Sequence, residues 1–306
     1  MQTLDKPWQD WIRSNLARGC AHDVMLRDMV NAGVAEPTAA FNLAVFSQSK
    51  TDSGAIAAAQ GATQAAKPIV NPQYQQNQQN VAADAAFKQE ASHLFQYENT
   101  LTTRDGQTMQ VAMRVSAPDV VLLDNFMTAA ECDELCALSK STLTKSTVVD
   151  DATGNAVNHA HRTSLGTYFA LGQYPLVAKI EARIGEITGT PVVNGEGIQI
   201  LNYAGGGEYR PHFDYFPDNE GGRVHTAVSG QRIITVVMYL NDVTAGGATV
   251  FPDLKLSVYP KKGSALYFSY FNAQGQVDPS TLHGGAPVLE GEKWIATKWI
   301  RERVYK

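Results

Sequence analysis

Residues 199–216 read QILNYAGGGEYRPHFDYF, from Gln199 to Phe216. His212 and Asp214 stand two residues apart, and on an extended chain alternate side chains share a face, so an imidazole and a carboxylate would point the same way. A second imidazole arrives at His283, 69 residues beyond Asp214, at the head of the stretch LHGGAPVLEGEK (Leu282–Lys293). Lys293 closes that stretch, ten residues after His283. Everything else in the chain can be arranged around these four residues.

A two-residue pattern such as HxD carries a high false-positive risk on its own. The larger constellation is more specific, because two imidazoles and one carboxylate on one face of an octahedron leave three positions open, as in a non-haem Fe(II) oxygenase. Lys293 lies in a strand-like run where Ile295, Thr297, Trp299 and Arg301 share its face, and a charge on a buried face needs a partner. A dicarboxylate that chelates the metal through one end, as 2-oxoglutarate can, would offer its far carboxylate to this lysine in a charge-assisted bond. Dioxygen would take the remaining position. Duller readings stand beside this one: a histidine next to Gly284 and Gly285 in a solvated turn, and a lysine on an edge strand in water. A zinc hydrolase built on the same three ligands gives Lys293 no role and wants a general base, and a non-catalytic jelly-roll binding module would keep the residues without the chemistry.

Further stretches surround these residues. Tyr203 and Tyr209 precede HFD; Arg232 lies in QRIITVVMYLND; AGGATVFP spans Ala245–Pro252, PKKGSALYF spans Pro260–Phe268, and GEKWIATKWIRE spans Gly291–Glu302. From roughly Asp119 to the C-terminus the chain resembles the prolyl 4-hydroxylase family of Fe(II)/2-oxoglutarate-dependent dioxygenases. The resemblance implies that His212, Asp214 and His283 hold the iron and serve catalysis, with 2-oxoglutarate and O2 as cosubstrates and ascorbate as a candidate reductant. It implies that Lys293 and Tyr203 bind 2-oxoglutarate; Thr297 and Thr235 are candidates for the pocket wall, although a β-branched residue in a strand is expected in any case. On the substrate side it implies Tyr209, Arg232, Arg301 and Arg162. The activity implied is hydroxylation of an unactivated C–H bond, foremost C4 of a prolyl residue in a peptide or protein, with another residue, a free amino acid or a small metabolite as the alternative. One position departs from the family: where many members read WIHE, this chain reads Trp299-Ile300-Arg301-Glu302, which replaces an imidazole by a permanently charged planar fork.

Working outward, 306 residues suffice for one large domain and a small one. Residues 1–47 read as a helical unit: Trp8, Trp11, Ile12 and Leu16 near helical spacing, then a helix with Leu26, Met29 and Val30 on a shared face, then a third over Ala39–Phe46. Residues 48–84 form a Gln- and Ala-rich linker with too little apolar surface to repay its ordering entropy. The dioxygenase domain occupies 85–306, with its core at about 119–306. Within it the sequence predicts a helix over Phe87–Tyr97, a hairpin turning at Asp105-Gly106, and a helix capped by Thr128 with Glu131. A polar loop over 141–161 follows, which the resemblance casts as a lid. A helix then opens at Pro175 and stops before Gly189. The strand-rich remainder predicts an α+β, mainly β fold: a double-stranded β-helix, or jelly roll, buttressed by helices.

Charged residues make up 18% of the chain with a net charge of −5, which offers no basic footprint for nucleic acid. The start, MQTLDKPWQDW, lacks a basic region followed by an apolar core, and no apolar run reaches about 18 residues, so the expectation is no membrane association and a cytoplasmic location. Three cysteines, Cys20, Cys132 and Cys136, are expected to be reduced. The expected partner is a peptide or protein substrate; the oligomeric state and the role of the N-terminal unit are left open by the sequence.

Overall fold

The computed structural model describes residues 99–146, 148–149, 156–157 and 164–306, the segments 22–31 and 34–48, and single positions at 4, 8, 9, 12, 13, 16, 87 and 88. The chain divides into two compact units, Met1–Val81 and Ala82–Lys306. The linker beyond Gln48, Arg162, and most of the expected lid fall outside the described residues, as does the helix expected at Phe87–Tyr97 beyond residues 87 and 88, which themselves lack regular structure.

In the N-terminal unit, positions 8, 9, 12, 13 and 16 are helical, followed by helices His22–Asn31 and Glu36–Gln48. Ile12, Met25, Met29, Val34, Ala39, Leu43 and Phe46 form its core. Val30 does not share the buried face with Met29: it is exposed, because neighbouring residues on a helix point about 100° apart. The last helix starts at Glu36, earlier than the apolar run indicates.

The second unit is a sandwich with helices on one side. Its large sheet has nine strands, in the spatial order Thr100–Thr102, Thr108–Ser116, Asp119–Asp124, Ala265–Ser269, Arg232–Tyr239, Lys293–Arg301, Ile198–Tyr203, Leu165–Phe169 and Thr144–Lys145. A small sheet orders Leu256–Val258, Thr249–Phe251, His283–Gly285 and Tyr209–His212. Every ladder in both sheets is antiparallel.

The central strands explain the layering through period-2 alternation. Ile198 and Ile200, Val236 and Met238, and Trp294, Ala296 and Ile300 pack against Cys132, Leu135, Leu176, Val177, Ile180 and Ile184 from helices Ala129–Ser139 and Pro175–Thr188. The intervening residues Leu201, Tyr203, Val237, Tyr239 and Ile295 face Phe251, Val258 and Val288 on the other side. Lys293–Arg301 is buried at all nine positions, so it needs side chains suited to two different interiors. Truncating a residue such as Ile180 at the centre of the helix-side core would cost about 2–5 kcal/mol.

Both helices start and stop as their sequences dictate. Thr128 and Glu131 form the expected capping box, with Thr128 Oγ1 accepting from Glu131 N and Glu131 Oε2 accepting from Thr128 N. Pro175 opens the second helix, and Gly189 ends it in the left-handed conformation, φ 66°, that glycine adopts without penalty. The expected two-residue turn at Asp105-Gly106 is instead a five-residue loop, since Thr102 pairs with Thr108. The reason is tertiary: Asp105 is drawn to Arg183, whose buried guanidinium also grips Glu131 at 2.9 Å and Asp105 at 2.5 Å. Within 141–161 the described residues form a single helical turn at Lys140–Thr142, the edge strand Thr144–Lys145, and a short ladder of Val148–Val149 with Ala156–Val157. Cys132 and Cys136 are free thiols, and burial pushes them up to about 12 and about 11.

Candidate active site

His212 and His283 meet because their strands pair in register, directly opposite one another in the small sheet. Their rings lie 4.5 Å apart. This approach depends on Gly284, where a Cβ would sit 2.8 Å from the Tyr209 carbonyl oxygen, closer than real contacts allow. Asp214 reaches the pair differently from the shared-strand reading. The strand ends at His212, and Asp214 enters from the bend that follows. Ligand atoms of the three residues all lie within 4.8 Å of one another.

Hydrogen bonds fix how each histidine presents itself. His212 Nδ1 lies 2.9 Å from the Arg210 carbonyl and His283 Nδ1 3.0 Å from the Thr281 carbonyl. A carbonyl only accepts, so both Nδ1 atoms carry the proton and both Nε2 lone pairs are free. Those Nε2 atoms lie 3.5 Å and 3.4 Å from the Asp214 carboxylate oxygens. Two lone pairs and an anion converging on one point repel one another unless a cation joins them. Nitrogen and oxygen donors of this kind, two imidazoles with one carboxylate, suit Fe(II).

Electrostatics agree with that reading. Burial and the neighbouring His283 push His212 below its usual range, against the pull of Asp214, which favours the neutral ligand form. Burial opposes the charge on Asp214, and His283 and His212 hold its carboxyl well below the usual carboxylate range only where they turn an Nε2–H toward it, the place a bound cation would take over. Thr235 Oγ1 donates to Asp214 Oδ2 at 2.7 Å. Aromatic rings wall the site: Tyr209 stacks on His212 at 3.7 Å, and Phe268 meets His283 edge-on at 4.6 Å.

Lys293 opens the central strand and lies in the same cavity as the three ligand residues. It is 2% exposed, with no carboxylate and no hydrogen-bond acceptor among the described residues. Among the described residues, the Tyr203 and Tyr239 rings face its ammonium, 5.8 Å and 5.9 Å away. Burial alone lowers its pKa to about 8. An unpartnered buried cation opposite a metal-ligand triad fits a cosubstrate that carries its own anion. Tyr203, Tyr209 and Thr297 line this cavity as well, together with Gln199, Thr249 and Trp299. Trp299 Nε1 is buried there without an acceptor among the described residues.

The two arginines expected on the substrate side are paired with a carboxylate of the chain itself. Arg232 and Arg301 converge on one buried carboxylate, Glu196, with Arg232 Nε at 2.7 Å and Nη2 at 2.8 Å, and Arg301 Nη1 at 3.0 Å. Neither lines the cavity. Arg232 also lies 3.9 Å from the Trp299 ring and donates to the Asp214 backbone carbonyl at 3.3 Å. Arg301 donates a further bond to the His225 carbonyl. Burial works against the charge on Glu196, but the two arginines keep it below its ordinary range. The segment 215–231 carries a short helix, Glu220–Thr226, with His225 stacked on Phe216.

Sequence reasoning missed Glu196, Tyr239 and Thr249, and it did not single out Gln199. Gln199 was within reach, since alternation from Tyr203 through Leu201 puts it on the cavity face. Tyr239, whose hydroxyl donates to Thr249 at 2.8 Å, had the same signal from Thr235 and Val237. Glu196 had none, because its partners lie 36 and 105 residues away.

Residues 198–301 match the 2OG-Fe(II) oxygenase superfamily, so the class of protein is a 2-oxoglutarate-dependent dioxygenase that uses Fe(II) and O2. Prolyl 4-hydroxylase 5 of Arabidopsis thaliana is 43% identical over 208 residues, covering 62% of this chain and 70% of its own length. Prolyl 4-hydroxylase 2 of the same plant is 41% identical over 60% of this chain and 68% of its own. The viral collagen prolyl hydroxylase of Paramecium bursaria Chlorella virus-1, solved as a 2-oxoglutarate complex, is 29% identical, with coverage of 60% and 95% and a TM-score of 0.48. The chain belongs to the prolyl 4-hydroxylase family.

Proposed function

We propose that this protein hydroxylates prolyl residues of a peptide or protein at C4, with 2-oxoglutarate and O2 as cosubstrates. The observation that carries the reading is the pairing of the His212, Asp214 and His283 triad with Lys293, a buried cation without a counterion among the described residues. His212 and His283 would hold Fe(II) through Nε2 and Asp214 through its carboxylate; the metal, once bound with 2-oxoglutarate, supplies the activation of O2 for insertion into a C–H bond.

The remaining roles belong to the chain. Lys293 holds the far carboxylate of 2-oxoglutarate by a charge-assisted bond and so sets its orientation. Tyr203 and Thr297 wall the cosubstrate, and Tyr209, stacked on His212, occupies the substrate side. The apolar rings of Phe251 and Phe268 exclude water from behind the ligands. Arg232, held together with Arg301 by Glu196, packs on Trp299 and donates to the Asp214 backbone carbonyl.

The test is succinate formation by protein reconstituted anaerobically with Fe(II), then exposed to O2 with and without proline-rich peptides, beside His212→Ala. Peptide-stimulated succinate, with the mass of one oxygen atom gained on proline and both lost in the variant, is the expected result. Turnover that no prolyl peptide stimulates would move the substrate to another residue or a free amino acid.

A further inference from the structure

Asp214 is held by more than its neighbours in the triad. Thr235 stands on the central strand Arg232–Tyr239, is fully buried, and donates its hydroxyl to Asp214 Oδ2 at 2.7 Å. Its oxygen also lies 3.0 Å from the hydroxyl of Tyr270, which is 1% exposed. The direction of this chain follows from counting protons. A carboxylate ligand has none to give, and Thr235 has one, which it gives to Asp214. Tyr270 must therefore donate to Thr235. Both residues are buried, so the Tyr270 hydroxyl relies on Thr235 as its acceptor, and a buried network of this kind rigidifies what it touches when all its members are satisfied.

The same strand holds the backbone of Asp214, through Arg232 Nη1 at 3.3 Å from its carbonyl. Asp214 lies beyond the end of its own strand and has no ladder to fix it. Its position is instead imposed from Arg232–Tyr239, by one contact on the backbone and one on the side chain. With Oδ2 occupied by Thr235, Oδ1 remains as the oxygen without a hydroxyl donor.

We propose that Thr235 and Tyr270 form a positioning relay that fixes the Asp214 carboxylate where it would hold the metal, with Thr235 bonding Oδ2 and Tyr270 orienting the Thr235 hydroxyl. Outer partners that hydrogen-bond a metal ligand typically change metal affinity by about 10- to 100-fold when removed. Thr235→Val removes the bond to Asp214 and strands the Tyr270 hydroxyl. Thr235→Ser keeps the hydroxyl and loses only a methyl group. Tyr270→Phe removes the outer donor and leaves the inner bond in place with a freer hydroxyl.

The inference rests on the iron reading above, and its test separates the two. Co(II) binding to the metal-free full chain is measured by calorimetry for the wild type, His212→Ala, Thr235→Val, Thr235→Ser and Tyr270→Phe, with near-ultraviolet circular dichroism as the check on folding. Binding by the wild type and its loss in His212→Ala secures the metal site by itself. The relay then requires Thr235→Val to bind about 10- to 100-fold more weakly, Thr235→Ser to stay near the wild type, and Tyr270→Phe to fall between. Thr235→Val with wild-type affinity, or Thr235→Ser as weak as Thr235→Val, overturns it. If Thr235→Val does not fold, Tyr270→Phe decides: weakened binding in a folded protein supports the relay, and unchanged binding overturns it.

Discussion

Lys293 and Lys298 stand five residues apart on the same strand, both about as buried as a lysine can be, at 2% and 1% exposure. They face opposite sides of the large sheet. Lys298, on the helix side, meets Glu181 at 2.6 Å, with both side chains 1% exposed. Lys293, on the side of the small sheet, meets aromatic rings and no carboxylate among the described residues. A chain that buries a cation for structure brings the anion with it. One that buries a cation for function leaves that place to a ligand, at a cost to the empty protein that binding repays.

The largest effect should come from breaking the paired lysine. Lys298→Met or Glu181→Gln alone leaves the other charge buried and should cost about 3–5 kcal/mol of stability by urea unfolding. The double replacement by apolar residues should recover most of the loss. Lys293→Met should do the reverse. It removes a charge that has no partner, so the ligand-free protein should be no less stable. The KM for 2-oxoglutarate should rise at least about 30-fold, for a loss of about 2 kcal/mol or more when one partner of a buried charge pair is removed.

A smaller effect sharpens the same contrast through pH. Burial lowers the Lys293 pKa from 10.5 to about 8, so between those values the unfolded chain holds more protons than the ligand-free fold. The stability of the ligand-free protein should therefore gain from this residue as pH rises across that window. On the role proposed for Lys293, cosubstrate binding needs the ammonium and should run the other way. Affinity for 2-oxoglutarate should fall as pH climbs past about 8, and Lys293→Met should flatten that dependence in a binding titration.

The smallest effect concerns a third buried cation, which resembles Lys298. Arg183 holds Asp105 and Glu131. Burial opposes their charge, but the bonds from Arg183 bring both carboxyls down to about 2. Depressed carboxyls stabilise the fold above their usual values of 3.8 and 4.5, and that contribution should disappear as pH falls toward about 2. Urea midpoints measured across that range should decline more steeply in the wild type than in Arg183→Met.

The contrast between the two lysines was half legible in the sequence. Lys293 stood out because Ile295, Thr297 and Trp299 marked its face as buried and His283 lay ten residues away. Lys298 drew no notice, because its justification is Glu181, 117 residues distant on a helix. The same divide runs through the rest of the molecule. Strand periodicity, the capping box at Thr128 and the stop at Gly189 are local signals, and the fold follows them. The five-residue loop at Asp105 and the capture of Arg232 and Arg301 by Glu196 depend on partners that pairing brings together only after the chain has folded. For Arg301, the sequence shows that an imidazole has been replaced by a guanidinium; only the structure shows that it shares one buried carboxylate, Glu196, with Arg232.

The most direct test of the counterion reading of Lys293 is a binding cycle on the metal-loaded protein. It pairs the wild type and Lys293→Met with 2-oxoglutarate and with a 2-oxo acid of similar length that lacks the distal carboxylate. The wild type should prefer 2-oxoglutarate by at least about 30-fold, and the variant should bind both acids alike. A variant that keeps the wild-type preference would show that the distal carboxylate is recognised elsewhere, and the unpaired burial of Lys293 would need another explanation.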